Sequence, residues 1–175
     1  MRERDWQDCV DFHGHACSGL LIGYRAAQYA TALLDLQFSA DEEVVCIAEN
    51  DACDVDAIQV MLGCSVGKGN LLFHMTGKYA FSFYNRLNGK AARLLLRPRP
   101  ASVAEGESFA YYWQQEPQQL FDVMPPRLEL PEAARFFQSY PCDGCGEMTG
   151  ANWLHLQGEQ KLCPDCYRAY NRFDV

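Results

Sequence analysis

The fold of most of the chain is decided by a stretch that begins Val44-Val-Cys-Ile-Ala48 and continues, five residues later, as Asp54-Val-Asp-Ala-Ile-Gln-Val-Met-Leu62-Gly63. The first part is a short, continuous apolar run, which is typical of a buried β-strand. The second part predicts a helix over residues 55–62, with Asp54 as its N-cap and Gly63 as its C-terminal stop. A buried strand followed closely by a helix indicates a mixed fold with a packed core.

The segments on either side extend this pattern. An apolar stripe at helical spacing predicts a helix from residue 18 or 19 to about residue 34. Downstream, three strands are predicted, and Asn88-Gly89 between the last two indicates a type I′ hairpin turn. Ser102 and Glu105 form a capping-box pattern that opens a third helix, which Pro117 ends or kinks. We therefore expect an α+β fold whose helices pack on an antiparallel sheet; its strands are Asn70–Met75, Tyr79–Tyr84 and Ala91–Leu96.

Four cysteines near the end of the chain follow the spacing of a structural zinc site. They form the pairs Cys142-Asp-Gly-Cys145 and Cys163-Pro-Asp-Cys166, with seventeen residues between the pairs. Each pair can form a tight knuckle that points both sulfurs at one metal ion. A hairpin between the knuckles and a final helix from Asp165 to about Arg172 would make a treble-clef zinc domain, with Cys142, Cys145, Cys163 and Cys166 as ligands.

Length and composition suggest two domains. The 175 residues suit one domain of ordinary size with a small appended module. We expect a core domain over residues 1–130, a linker over residues 131–141 and the zinc-ribbon or treble-clef domain over residues 142–175.

The net charge and the cysteine content indicate which binding partners and which cellular compartment to expect. A net charge of −8 argues against non-specific binding to nucleic acid or to an anionic membrane, since both need a cationic surface. No apolar run approaches the length of a membrane span, and no signal-peptide pattern follows the charged start. Nine cysteines, an odd number that includes two C-x-x-C pairs, fit a reducing compartment, so we expect a cytoplasmic protein.

Two imidazoles and a thiol are concentrated in the segment Phe12-His-Gly-His-Ala-Cys-Ser18. In an extended segment His13, His15 and Cys17 would share one face. Imidazole and thiolate ligands suit zinc or another borderline-soft metal. A histidine beside a cysteine at a helix N-terminus could equally form a nucleophilic pair, with Cys17 as nucleophile and His13 or His15 as its base.

A second group of polar side chains lies where the first strand ends and the next helix begins. Glu49, Asp51 and Cys53 could face one cleft there, and Cys64 follows the helix. Cys53 and Cys64 could instead be small buried apolar residues. Lys68, between two glycines, could bind an anion or be a solvated turn residue. Asp51 and Lys68 are thus candidates for cofactor binding, and Cys53 and Cys64 for a core metal site.

The chain also contains the blocks Phe12-His-Gly-His-Ala-Cys-Ser-Gly-Leu-Leu-Ile-Gly-Tyr-Arg-Ala-Ala27 and Glu49-Asn-Asp-Ala-Cys-Asp-Val-Asp-Ala-Ile-Gln-Val-Met-Leu-Gly-Cys-Ser-Val-Gly-Lys-Gly-Asn70, followed by Gly77-Lys-Tyr-Ala-Phe-Ser-Phe-Tyr-Asn-Arg86. Together these blocks resemble the FmdE family of formylmethanofuran dehydrogenase proteins over residues 6–122, and the C-terminal zinc module resembles one that some members carry. The resemblance implies an α+β core, an intertwined homodimer and a cavity built from the histidine and cysteine blocks. The family's signature residues fall on His13, His15, Cys17, Asp51, Cys53, Cys64 and Lys68. In one departure, Ser18 stands where the family pattern has proline.

The leading hypothesis from this resemblance is a metal-binding accessory protein of a molybdenum- or tungsten-type oxidoreductase in one-carbon metabolism. It would carry zinc in the C-terminal module and a second metal ion in the core, and would contact oxidoreductase partner subunits. One alternative is a small stand-alone enzyme that uses the Cys17 thiol. Another is a dimeric interaction module whose zinc domain binds a protein partner, since the few basic residues there are unfavourable for nucleic acid.

Overall fold

A computed structural model describes residues 4–172 of the chain. It divides into two compact units, which meet in sequence between Ala134 and Arg135. None of the helices within the described residues is both long and apolar enough to cross a membrane.

The first unit contains five helices and five strands among its described residues. The chain begins with two helices and then alternates strand and helix before it forms an antiparallel hairpin. The elements are α1 Trp6–His13, α2 Ser18–Leu34, β1 Val44–Ala48, α3 Asp54–Leu62, β2 Leu71–Phe73, β3 Ala80–Asn85, β4 Ala91–Leu96, α4 Ser108–Gln114, α5 Pro117–Leu120 and β5 Phe121–Met124, with a 3-10 turn over Glu105–Glu107 before α4.

The five strands form one sheet in the order β2-β1-β3-β4-β5. Every neighbouring pair is antiparallel except β1 and β2, which are parallel, with Cys46 opposite Leu71. The α+β class, with helices on a mainly antiparallel sheet, is confirmed. The parallel pair is the exception that the sequence did not predict, and it arises because the chain crosses over through α3 before β2 pairs with β1.

The core lies between the sheet and the helices α2 and α3. Phe81 and Phe83 on β3 are fully buried against this helix layer, as are Leu21 on α2 and Ile58 on α3. Apolar burial of this kind, worth about 25 cal/mol per Å², is the main favourable term in folding. The predicted bounds of α2, β1 and β4 are confirmed.

The helices α2 and α3 cross in very close contact. A Cβ atom added at Gly23 would lie only 1.9 Å from the backbone oxygen of Asp54, so the crossing requires a residue without a side chain on α2. The two helices can approach so closely only because α2 presents bare backbone at this point.

Three local predictions are wrong. Asp54 does not cap α3: the N-cap position is Cys53, and the Asp54 carboxyl is fully buried, which raises its pKa to about 7. The β3–β4 turn is not type I′, since Gly89 has positive φ and Asn88 does not. The capping box is formed by Ala104 and Glu107 rather than by Ser102 and Glu105: the Glu107 carboxylate accepts from the backbone N–H of Ala104. The helix α4 does end before Pro117, which begins the separate short helix α5.

A buried ion pair crosses the sheet between β4 and the end of β1. Arg93 is fully buried, and its Nε and Nη2 atoms donate to the two carboxylate oxygens of Glu49 over 2.5 and 3.0 Å. Thr76 Oγ1 also donates to this carboxylate, over 2.8 Å. The hydrogen bond from Arg93 is the main reason that the pKa of Glu49 is lowered. Glu49 therefore has a structural partner and does not turn toward the cleft that the sequence suggested.

The second unit contains two short hairpins. Strands β6 Ser139–Pro141 and β7 Met148–Gly150 form the first, and strands β8 His155–Gln157 and β9 Gln160–Leu162 form the second, with a 3-10 turn over Ala151–Trp153 between them. The helix predicted over residues 165–172 is wrong: Cys163–Cys166 forms a turn, and the residues after it are irregular as far as residue 172.

The helix crossing leads to a first prediction. In Gly23→Ala the overlap with Asp54 should cost about 3 kcal/mol, which exceeds the roughly 1 kcal/mol that alanine gains over glycine within a helix. Urea unfolding should show a net loss of about 2 kcal/mol in the free energy of unfolding. Gly106→Ala is the matched control, since no atom lies within 4 Å of the added methyl group, and it should change stability by less than about 0.5 kcal/mol.

The buried ion pair leads to a second prediction. Arg93→Met leaves the Glu49 carboxylate buried without its partner and should lower the free energy of unfolding by about 3–5 kcal/mol. Because the folded pKa of Glu49 is lowered, its contribution is complete above the unfolded glutamate pKa of about 4.3. This stabilising contribution of Glu49 is lost as the pH falls through the lowered pKa that Glu49 has in the folded protein. The stability difference between the wild type and Glu49→Gln should therefore shrink in acid.

The control for that experiment is Asp35→Asn, which removes the exposed pair between Asp35 and Lys90. An exposed pair contributes about 0–1 kcal/mol. If Asp35→Asn were as destabilising as Arg93→Met, burial would not be the source of the effect.

Candidate metal centre

Two cysteines lie at the N-termini of the crossing helices. Cys17 is the N-cap residue of α2, and its Sγ accepts from the backbone N–H of Leu20 over 3.3 Å. Cys53 directly precedes α3. Gly19 makes room between them, because a Cβ atom there would lie 3.1 Å from Cys53 Cβ and 3.9 Å from Cys17 Sγ. The helix crossing therefore brings the two thiols together from positions 36 residues apart in the sequence.

The last residue of α1, His13, completes the group. Gly14 ends α1 in the left-handed conformation, with φ of 91°. The His13 ring has its Nε2 atom 3.8 Å from Cys17 Sγ and its Nδ1 atom 2.7 Å from an Asp56 carboxylate oxygen. Since an ionised carboxylate can only accept a hydrogen bond, Asp56 keeps the hydrogen on Nδ1 and leaves the Nε2 lone pair directed toward the sulfur.

A short relay holds Asp56 in place. Gln59 Nε2 donates to its second carboxylate oxygen over 3.0 Å. Asp56 lies one helical turn after Cys53, so both residues share a face of α3. Sequence reasoning missed Asp56 and Gln59, although their spacing from Cys53 was the signal that could have identified them.

The donor atoms of His13, Cys17 and Cys53 all lie within 4.8 Å of one another. Imidazole and thiolate form a donor set for zinc or another borderline-soft metal, and a carboxylate behind a ligating histidine is the usual support for such a ligand. The residues present therefore fit a metal ion. Three protein ligands would leave one position of a tetrahedral ion open, which is the pattern of a reactive site rather than a closed structural one.

Burial and the neighbouring sulfur make the Cys53 thiol hard to ionise. Burial is the main cause that raises its pKa, and its interaction with Cys17 raises the pKa further. Two adjacent thiols cannot both ionise easily unless a cation offsets their charge.

The other predicted core residues lie outside this group of three. His15 is exposed, and its ring centroid lies 4.6 Å from that of His13 without a donor atom joining the cluster. The extended segment that would align His13, His15 and Cys17 does not exist, because His13 ends one helix and Cys17 caps the next. Asp51 is exposed in the loop before α3.

Cys64 and Lys68 also have other surroundings. Cys64 is buried just after α3, where its Sγ lies 3.8 Å from the backbone oxygen of Val44, and burial raises its pKa to about 12. Lys68 Nζ donates to the backbone oxygen of Ser39 over 2.8 Å. Neither residue joins the cluster, since both follow the C-terminal end of α3 and the cluster lies at its N-terminal end.

The second unit brings its four cysteines together. The donor atoms of Cys142, Cys145, Cys163 and Cys166 lie within 4.8 Å of one another. A Cβ atom at Gly144 would lie 2.9 Å from Cys166 Cβ, so the first knuckle needs glycine to close over the second. This is a four-sulfur group of the kind that holds structural zinc.

Backbone amides prepare this group for a cation. The N–H groups of Cys163 and Gly144 donate to Cys142 Sγ over 3.2 and 3.4 Å, and such bonds, the one from Cys163 above all, lower the pKa of Cys142 to about 6. The neighbouring sulfurs raise the pKa of Cys166 to about 12. Only a bound cation would let all four thiols ionise side by side.

A solved structure and a sequence relative are similar to this chain over most of its length. The chain is similar over its length to a solved structure, a tungsten formylmethanofuran dehydrogenase FmdE-like protein from Syntrophus aciditrophicus; the TM-score is 0.71 at 23% sequence identity, and the match covers 95% of this chain and 96% of the other. It is 24% identical to a probable S-adenosyl-L-methionine-binding protein of Archaeoglobus fulgidus over 91% of its own length, but spans only 51% of that relative.

The sequence match to a known family covers the core site. Residues 12–133 match the family described as FmdE, molybdenum formylmethanofuran dehydrogenase operon. This range includes His13, Cys17, Cys53 and Asp56, and it stops before the four-cysteine group. The chain therefore belongs to the FmdE family.

Proposed function

We propose that this protein is a metal-binding accessory protein of a molybdenum- or tungsten-type oxidoreductase, and that its working site is the group formed by His13, Cys17 and Cys53. The observation that carries the proposal is the convergence of these three donor atoms within 4.8 Å, with Asp56 behind the histidine. Membership of the FmdE family supports the association with an oxidoreductase.

The chain's own residues have separable roles in this proposal. Cys17 and Cys53 supply sulfur ligands from two helix N-termini, and a bound cation would offset the cost of ionising them side by side. His13 supplies nitrogen, and Asp56 holds the imidazole in the orientation and tautomer that ligation needs. A metal at this site would supply an open coordination position for a sulfur, oxygen or nitrogen group of a partner or small molecule.

The four-cysteine group has a different role in the proposal. We infer that the module predicted over residues 142–175 is a structural zinc domain. Its first hairpin also takes in β6, Ser139–Pro141, from the segment 131–141 that the sequence assigns to the linker. Among the described residues of this unit, the apolar cluster contains three buried residues, Cys142, Leu162 and Cys163, which is too little to stabilise some forty residues without a further constraint. The homodimer and the contact with partner subunits remain predictions.

A second candidate function rests on the same geometry. Asp56, His13 and Cys17 lie in the order of an acid–base–nucleophile relay, with contacts of 2.7 and 3.8 Å. In that function His13 would accept the Cys17 proton, and the thiolate would attack an electrophile. The two functions differ in whether Cys17 Sγ is bound by a metal or free to react.

Metal content per chain distinguishes these functions. In protein purified without oxygen, Cys17→Ser and Cys53→Ser should each lose one metal ion per chain relative to the wild type, while Cys64→Ala should keep it because Cys64 lies outside the cluster. Asp56→Asn should weaken the affinity about 10- to 100-fold, as expected for the residue behind a ligating histidine.

The opposite result would favour the enzyme. If the core bound no metal, and if iodoacetamide alkylated Cys17 faster than Cys53 at neutral pH in a manner that required His13, the accessory function would be wrong. The nucleophilic relay would then explain the arrangement.

Zinc removal tests the second unit. Because metal binding contributes about 10 kcal/mol or more to the folding of small zinc modules, strong chelation should unfold residues 139–172, which include β6 to β9, and leave the core folded. Amide hydrogen exchange would report both units at once. Unchanged protection of β6 to β9 after the zinc has left would contradict a structural role for the metal.

A further inference from the structure

A cavity of about 270 Å³ opens at the C-terminal end of α3, between that end and the segments that flank it. It is lined by two cationic side chains, two aromatic rings and a small number of neutral polar groups. These lining residues include Arg4, Phe12, Phe38, Gln59, Ser65 and Lys68.

Neither cation at this cavity has a carboxylate partner within residues 4–172. Neither Arg4 nor Lys68 forms an ion pair there, and no Asp or Glu among those residues lines the cavity. The nearby Glu43 carboxylate is bound by the Ser39 hydroxyl and the backbone N–H of Asp41. The bond from Asp41 is the main cause of its lowered pKa, to which the charge of Lys68 contributes least. Two such cations at one cavity are unusual in a chain of net charge −8 and attract an anion.

Lys68 is positioned to bind such an anion. Its Nζ donates to the backbone oxygens of Ser39 and Ala40, over 2.8 and 3.5 Å. An ammonium group has three hydrogens, so one donor remains for a ligand. The two carbonyl contacts hold the ammonium in place, so the Lys68 side chain loses less conformational entropy when a ligand binds.

The walls of the cavity suit a flat apolar group. Phe12 is 59% exposed and Phe38 is 38% exposed, so both rings offer free surface. The Arg4 guanidinium lies 5.0 Å from the centre of the Phe38 ring. Gly63, with φ of 70°, lets this ring pack against the end of α3, since a Cβ atom there would lie 2.9 Å from Phe38 Cζ.

The cavity is connected to the metal centre through two hydrogen bonds. Gln59 lines the cavity and donates to Asp56 over 3.0 Å, and Asp56 in turn contacts His13 over 2.7 Å. Phe12 directly precedes His13. A ligand in the cavity would therefore lie next to the residues that orient the histidine.

We propose that this cavity binds a small planar anion, one or two fused rings that carry a carboxylate or phosphate group. The anionic group would contact Lys68 and Arg4, and the ring would pack against Phe12 and Phe38. That this anion belongs to the chemistry of the His13, Cys17 and Cys53 site rests on the proposed function, whereas its binding to the cavity does not.

Ligand titration of the full chain, followed by heteronuclear NMR, tests the proposal. Naphthoate should shift the amide signals of Gly63, Ser65 and Lys68 in a saturable way. Its neutral analogue naphthamide should bind at least about tenfold more weakly, because a hydrogen bond to a charged group is worth about 1.5–3 kcal/mol. Naphthyl phosphate, titrated in parallel, identifies which anionic group the cavity prefers.

Variants assign the effect to the two cations. Lys68→Met and Arg4→Gln should each weaken naphthoate binding about tenfold, and Lys68→Arg should largely retain it. Lys78→Met is the matched control, since Lys78 is exposed and does not line the cavity. Arg4→Gln serves as the independent test if Lys68→Met disturbs the fold through the loss of its contacts to Ser39 and Ala40.

Two results would overturn the proposal: equal affinity for naphthoate and naphthamide, or naphthoate binding that neither cation substitution weakens. The result of the naphthoate titration is independent of whether the core binds a metal ion. Cys17→Ser should abolish core metal binding and leave naphthoate affinity unchanged, so either property can fail while the other is observed in the same samples.

Discussion

The close crossing of α2 and α3 is the constraint on which the rest of the core depends. Gly23 presents bare backbone to Asp54, and no residue with a side chain fits there. This contact sets the distance between two helices and therefore between their N-termini, where Cys17 and Cys53 lie. The core site is thus a consequence of how two helices pack. Ligands that project from packed helix ends are held more rigidly than ligands on loops, which is what a metal site needs.

The third donor depends on a different interaction. His13 lies at the end of α1, and the Asp56 carboxylate ties its ring to α3. Asp56 is itself bound by Gln59, which also lines the neighbouring cavity. The helix α3 therefore carries Asp56, which orients the His13 ring, and Gln59, which lines the proposed anion site. It begins directly after Cys53, the second candidate sulfur ligand. The same relay would serve a metal centre or a nucleophilic cysteine, because both need a histidine of fixed tautomer.

The two units are stabilised in different ways. The first buries a continuous apolar core between a five-stranded sheet and its helices, and it adds a buried ion pair between Glu49 and Arg93. The second has a hairpin of three-residue strands on each side of a turn and an apolar cluster made largely of its own cysteines. In the first unit the group of His13, Cys17 and Cys53 is a product of the fold. In the second we infer the reverse, that the fold is a product of the metal.

The sequence alone predicts the α+β class, the bounds of α2 and β1, the zinc-type spacing of the four C-terminal cysteines and the family. These features depend on local apolar periodicity or on short fixed spacings, which a single segment carries. The tertiary structure sets which polar residues meet. It joined His13, Cys17 and Cys53, added Asp56, placed Cys64 and Lys68 elsewhere, and paired Glu49 with Arg93. Such contacts link segments tens of residues apart, and they are set by how closely helices and strands pack rather than by any local pattern.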